Sequence, residues 1–222
     1  MIFGVGGEYE SGKDTIADYL VRKYGYSKMA FADNLKFMCM KVFGVTHDDC
    51  YTTNGKFTLF GEPLVLNEGH CTNICVWLRD VNKWPIKSEN LLKLDEVLKK
   101  GMTFESPREL LQLIGTEVMR DCFNPDIHAM IIFQEIERQG LTKVAISDAR
   151  FPNERSFVKK EGGQLILADC PQTKERTAST HRSETSLGDK FEYNHVIVND
   201  KSEGLETLYF LIDGMMEMIN GN

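Results

Sequence analysis

Apolar residues fall along the chain in short unbroken runs that alternate with stretches at helical spacing. Ile2 to Val5 is one such run, closed by Gly6 and Gly7, and reads as a buried strand. From Lys13 the residues Ile16, Ala17, Leu20, Val21 and Tyr24 recur on one helical face, and Gly25 stands where a C-terminal cap belongs. Residues 26–32 read as a second strand, after which Asp33 is placed to cap a helix carrying Leu35, Phe37, Met38, Val42 and Phe43 up to Gly44. Further helices are predicted over 91–99, 107–120, 125–139 and 205–219. The second of these opens on Ser106-Pro107-Arg108-Glu109, a capping box with proline at the first helical position. Three more strands are predicted at Lys143 to Ser147, Gln164 to Ala168 and His195 to Val198. Residues 45–88, rich in Thr, Asn, Gly, Asp and His with weak periodicity, are expected to be an irregular insertion. Short buried strands alternating with helices predict an α/β fold, a parallel sheet of about five strands with helices on both faces.

Composition narrows the class. With 222 residues, 42% hydrophobic and 27% charged, the chain is expected to fold as a single domain, 1–222, with insertions. Acidic residues outnumber basic ones 33 to 26, a net charge of -7, which argues against a dedicated nucleic-acid or anionic-membrane binder. No apolar stretch approaches the roughly 20 residues that cross a bilayer. The N-terminus MIFGVGG has no secretory leader, and the six scattered cysteines read as reduced thiols, so a cytoplasmic protein is expected.

The first chemistry-bearing motif is Gly7-Glu8-Tyr9-Glu10-Ser11-Gly12-Lys13, set between the first strand and the first helix. It fits GxxxxGK, in which glycines let backbone N–H groups wrap phosphate oxygens and the lysine reaches the outer phosphates. The next position usually carries a Ser or Thr hydroxyl for magnesium, whereas this chain has Asp14 and then Thr15. A magnesium ion would then be held by Asp14, through water, or by another carboxylate. Asp148, just past a predicted buried strand, sits at the crevice edge where such sheets bind ligands and can hold a magnesium water shell, or can simply cap. Arg150 can bridge to a phosphate or pair with Glu154. Arg108 and Gln112 are four apart on one helix face, so guanidinium and amide can enter one pocket or share a solvated face. Lys36 follows the second strand at a similar crevice position. Residues 171–190 carry Lys174, Arg176, His181 and Arg182 on a polar segment expected to be a lid or a charged surface loop. His70, Cys71 and Cys75, with Cys50 or His47, lack a second well-spaced ligand pair for zinc and are read as loop and core residues.

Five ordered segments carry a resemblance: Ser11 to Thr15, Arg108 to Glu117, Asp148 to Glu154, Thr180 to Glu184, and Val198-Asn199-Asp200. Together they resemble the bacteriophage deoxynucleoside monophosphate kinases over residues 2–212, apart from 45–90, which aligns with no family feature. His128 departs from the aromatic residue, usually tryptophan, found in relatives. The resemblance implies a P-loop three-layer α/β/α sandwich with a helical monophosphate-binding part at about 33–140 and a lid at about 171–190. It implies transfer of a phosphoryl group from ATP, with Mg2+, to a deoxynucleoside monophosphate, in the host cytoplasm if this is a phage protein, by a homodimer.

On that reading Gly7, Ser11, Gly12, Lys13, Asp14, Thr15, Asn199 and Asp200 bind ATP, while Lys36, Arg108, Gln112, Thr116 and Arg150 bind the monophosphate. Lys13, Arg150, Arg176 and Arg182 neutralise charge on the moving phosphoryl group, and Asp14 and Asp148 serve the metal through water. The alternatives are another small-molecule kinase resembling dephospho-coenzyme A kinase, or a non-catalytic nucleotide switch. Against the switch, no Asn-Lys-x-Asp guanine motif is present.

Overall fold

The computed structural model describes residues 1–174 and 186–221. The chain forms two compact units, one of residues 1–31 with 132–221 of the described chain and the other of residues 32–131.

The first unit is built on a five-stranded sheet. Its strands are β1 (Ile2–Gly7), β2 (Ser27–Met29), β5 (Val144–Ile146), β6 (Gln164–Asp169) and β7 (His195–Val198), numbered in chain order. They lie in the order β2-β5-β1-β6-β7, every pair parallel. The sheet expected from the apolar runs is therefore present, with the second strand cut to three residues. Successive side chains on β1 point to opposite faces. Phe3 and Val5 meet Ile16 and Leu20 of α1 (Lys13–Tyr24) and Leu208, Ile212 and Met215 of α10 (Gly204–Asn220) in one buried cluster. Gly4, on the opposite face, lies against Leu165 and against Val158 of α9 (Pro152–Lys160). Helices therefore cover both faces, as a parallel sheet requires. Gly25 ends α1 at φ 71°, its N–H reaching back to the carbonyls of Leu20 and Val21. The sequence pattern missed α9 because it buries a salt-linking arginine and a capping glutamate beside a single valine. No helix among the described residues is long and apolar enough to cross a membrane.

The second unit contains α2 (Asp33–Phe43), α3 (His47–Tyr51), α4 (Thr53–Phe57), α5 (Glu68–Val76), α6 (Ser88–Val97) and α7 (Pro107–Leu113), with a two-stranded antiparallel sheet of β3 (Leu64–Val65) and β4 (Thr103–Phe104). The helix α8 (Ile127–Gln139) begins in it. Two expectations are corrected here. Residues 45–88 are structured, and Cys50, Leu66, Ile74 and Leu78 enter the core with Leu35, Met38, Leu110 and Ile114. Side-chain caps at Thr46, Thr52 and Asn67 start the three helices α3, α4 and α5, each too short to show a periodic face. Asp33 does not cap α2: it is the first helical residue, and the N-cap is Ala32. Its carboxylate lies 3.7 Å from Lys36 and accepts from the Tyr51 hydroxyl at 3.4 Å.

The helix announced at Ser106 opens as expected, with Ser106 Oγ accepting from the Glu109 N–H and Pro107 at its first position. The Glu109 carboxylate reaches one residue further back, accepting from the N–H of Glu105 at 2.8 Å. After Leu113 the backbone widens into a π-helix over Ile114–Phe123. Such turns are rare and recur at functional sites.

Candidate functional site

β1 ends at the glycine loop, and the ends of neighbouring strands surround it: Ala168 pairs with Gly7, Asp148 follows β5, and Asn199 follows β7. The chain leaves β1 toward β2 on one side, while β6 lies on the other, so the loop sits at the topological switch point. Two glycines are demanded by close approach. A Cβ on Gly7 would lie 2.2 Å from Ser11 Oγ and 2.9 Å from the Ala168 carbonyl. A Cβ on Gly12 would lie 2.2 Å from Asn199 Nδ2, and Gly12 takes φ 93°, a left-handed conformation that glycine adopts without strain. Gly12 is the N-cap of α1 with no side-chain cap, leaving the first N–H groups of the helix available to an anion. Ser11 Oγ and Glu8 Oε2 are buried with no hydrogen-bond partner among the described residues. An orphaned hydroxyl beside a helix N-terminus suits a phosphate oxygen.

Lys13 opens α1 with a side chain only 8% exposed, its ammonium 3.7 Å from Asp14. Lys28 of β2, for which the sequence carried no signal, places its ammonium 3.3 Å from Asp14 and 2.8 Å from Asp18. Partial burial works to raise the Asp14 carboxyl, but the charges of Lys13 and Lys28, with hydrogen bonds from Lys28 and Ser147, outweigh it and hold it below the usual range. Thr15 follows on the first turn of α1, half-buried.

Asn199 is buried and donates from Nδ2 to the Ser11 carbonyl at 2.9 Å, while its own N–H donates to Asp169. It braces the loop from across the sheet. Asp200 serves its own turn, with Oδ1 accepting from Ser202 N–H, Ser202 Oγ and Gln172. These hydrogen bonds, those of Ser202 first, hold its carboxyl below the usual range.

Asp148 Oδ1 accepts from the Phe31 N–H at 2.6 Å, tying the end of β5 to the segment after β2. Glu154 Oε2 accepts from both Arg150 N–H and Phe151 N–H at 2.9 Å, capping α9. Arg155, overlooked in the sequence, is almost fully buried beneath this turn. Its guanidinium donates to the carbonyls of Arg150 and Ser186 and to Glu192.

In the second unit, Arg108 and Gln112 lie half-buried on α7, and Thr116 is buried on the π-helix. The Arg108 guanidinium stands 4.6 Å over the Phe57 ring, and Lys36 lies 4.3 Å from the Tyr51 ring centroid. His128 is buried with Nε2 2.9 Å from the Gly115 carbonyl, which makes Nε2 the protonated nitrogen and Nδ1 the bare one. Burial, with the Arg120 charge, pushes its pKa down to about 3. His70 spends Nδ1 on the Asn67 N–H and lies against Phe43, and Cys50 is core. Among the described residues no three His, Cys, Asp or Glu side chains are grouped to hold a metal. Arg176, His181 and Arg182, expected on the lid, lie outside the described residues.

No family model matches the chain. It is 30% identical over 213 residues to a protein of Acanthamoeba polyphaga mimivirus provisionally named deoxynucleotide monophosphate kinase, a match covering 91% of this chain and 90% of the relative. It is 26% identical over 244 aligned residues to the deoxynucleoside-5'-monophosphate kinase of Escherichia phage T5, covering 94% of this chain and 92% of that one.

Proposed function

The chain belongs to the deoxynucleoside monophosphate kinase family, and we propose that it transfers the γ-phosphoryl group of ATP to the phosphate of a deoxynucleoside monophosphate, giving ADP and a diphosphate for DNA precursor supply. The observation that carries the reading is the glycine loop at the carboxyl end of the central strand. There Gly12 caps α1 without a side chain and Lys13 follows it.

In this reading the loop amides, Ser11 Oγ and Lys13 hold the ATP phosphates. Phosphoryl transfer asks a protein for position and for positive charge rather than for a base, because the acceptor phosphate is already ionised. Lys13 and Arg150 supply that charge, joined by Arg176 and Arg182. Arg108, Gln112, Lys36 and Thr116 take the acceptor, the cations its phosphate and the Gln112 amide an edge of the base. Asn199 acts on ATP through the loop it braces.

Magnesium fits the donor set. That ion keeps most of its water and takes one or two carboxylates plus substrate phosphates rather than a full protein cage. Asp148 at the strand edge and Asp14 on the first turn of the helix are the groups that would hold it through water. When bound it would neutralise phosphate charge during transfer. Cytoplasmic location and a homodimeric state are further parts of the proposal.

The test is ADP release with ATP against every deoxy- and ribonucleoside monophosphate. Turnover that depends on a deoxynucleoside monophosphate supports the proposal; slow ATP hydrolysis indifferent to any acceptor overturns it.

A further inference from the structure

Residues 45–90, to which the motifs in the sequence gave no role, contribute two aromatic rings beside Arg108 and Lys36. Phe57 ends α4, which packs on α7, and its ring lies under the Arg108 guanidinium at 4.6 Å. Tyr51 ends α3, which packs on α2 and α7. Its ring faces the Lys36 ammonium at 4.3 Å, its hydroxyl donates to Asp33, and His47 stacks on it at 4.4 Å. The same pairing, a cation over a ring, thus occurs twice, on two helices, at two residues singled out for the acceptor. Phe57 remains 48% exposed, too open to serve chiefly as core. The Phe57 ring beneath the Arg108 guanidinium orients its plane without adding an opposite formal charge, whereas Lys36 faces both the Tyr51 ring and, at 3.7 Å, the Asp33 carboxylate that the Tyr51 hydroxyl holds.

We infer that Phe57 and Tyr51 are positioning residues of the acceptor site, each holding one of its cations ready for the monophosphate. The inference rests on the reading of Arg108 and Lys36 as acceptor-binding residues. It gives the segment 45–90 a role in substrate affinity.

Phe57→Ala should raise the KM for the deoxynucleoside monophosphate roughly 2- to 5-fold, the equivalent of an exposed cation–π contact of about 0.5–1 kcal/mol, with kcat and the KM for ATP unchanged. Phe57→Tyr should retain wild-type affinity, and Phe57→Leu, which fills space without a π face, should behave like alanine. Titration calorimetry with the monophosphate alone should reproduce this order, and Phe57→Ala should add nothing in an Arg108→Ala background. For the second ring, Tyr51→Phe should keep affinity and Tyr51→Leu should lose it. A leucine at position 57 as good as tyrosine would mean simple packing and overturn the inference, and that comparison stands even if the alanine variant folds poorly. If Arg108→Ala weakens monophosphate binding while Phe57→Ala does not, the inference alone fails. If Arg108→Ala itself changes nothing, the acceptor-site reading fails, and the inference with it.

Discussion

The buried guanidinium of Arg155 donates from Nη1 to the main-chain carbonyl of Arg150 at 2.5 Å, so one arginine carries the backbone of another. The same Nη1 donates to Ser186, and Nε and Nη2 both reach Glu192 Oε2, at 3.0 and 2.6 Å. Hydrogen bonds from Arg155 hold the Glu192 carboxyl below the usual range. A planar fork binding three segments has no isosteric substitute.

Arg155→Ala should therefore cost about 2–4 kcal/mol of stability, since it strands two carbonyls and removes a charged donor. Arg155→Lys should recover only part of this. Glu192→Gln, at the exposed end of the pair, should cost less than about 1 kcal/mol. Urea unfolding of the three variants reads the ranking, and an equal loss in Lys and Ala variants would leave only the fork geometry as the explanation.

Asn199 supplies the donor that satisfies the Ser11 carbonyl. Asn199→Ala should raise the KM for ATP and cost about 1–3 kcal/mol. Asn199→Asp should be worse, because it turns a donor into an anion facing a carbonyl. Gly12→Ala meets both the left-handed backbone and Asn199 Nδ2 at 2.2 Å. Its defect should shrink, without vanishing, when combined with Asn199→Ala. Additive losses would mean that the two residues do not meet.

Lys13→Ala should lower turnover at least about 100-fold, the scale expected for losing one preorganised electrostatic contact to a developing charge. The fold should survive, which thermal melting beside the kinetics will show.

His128 gives a pH signature. Its pKa is about 3 in the folded chain against 6.5 for a free histidine, so below pH 6.5 the unfolded chain binds a proton that the folded one refuses. Stability is complete above pH 6.5 and falls as the pH drops toward 3. Between about pH 7.5 and about pH 5.5 this residue should account for about 1.4 kcal/mol of lost stability. Denaturant unfolding at both values should show the wild type losing that much more than His128→Phe. Equal losses would mean that the ring is not buried neutral.

Where neighbouring residues cooperate, the sequence was readable by itself. The apolar run before Gly6, the helical face after Lys13 and the cap at Ser106 are each written within a dozen residues, because strand and helix periods and capping are local effects. The parallel five-stranded sheet and the position of the glycine loop followed from them. Residues 45–88 were not readable, because α3 and α5 bury one side chain each, Cys50 and Ile74, α4 buries none, and none of the three shows a period. The shift from α to π geometry after Leu113 was also invisible locally.

Only the tertiary structure decided what braces the loop and which rings face Arg108 and Lys36. Asn199 reaches Ser11 across 188 positions of chain, Arg155 reaches Glu192 across 37, and Lys28 reaches Asp14 of α1 from the edge strand β2. Such contacts form because parallel pairing brings strand ends together whatever their separation in sequence, and pairing of that kind leaves no periodic trace in either segment. The rings of Phe57 and Tyr51 belong with them: a cation selects a π face by geometry, and that geometry exists only after the helices α2, α3, α4 and α7 have packed.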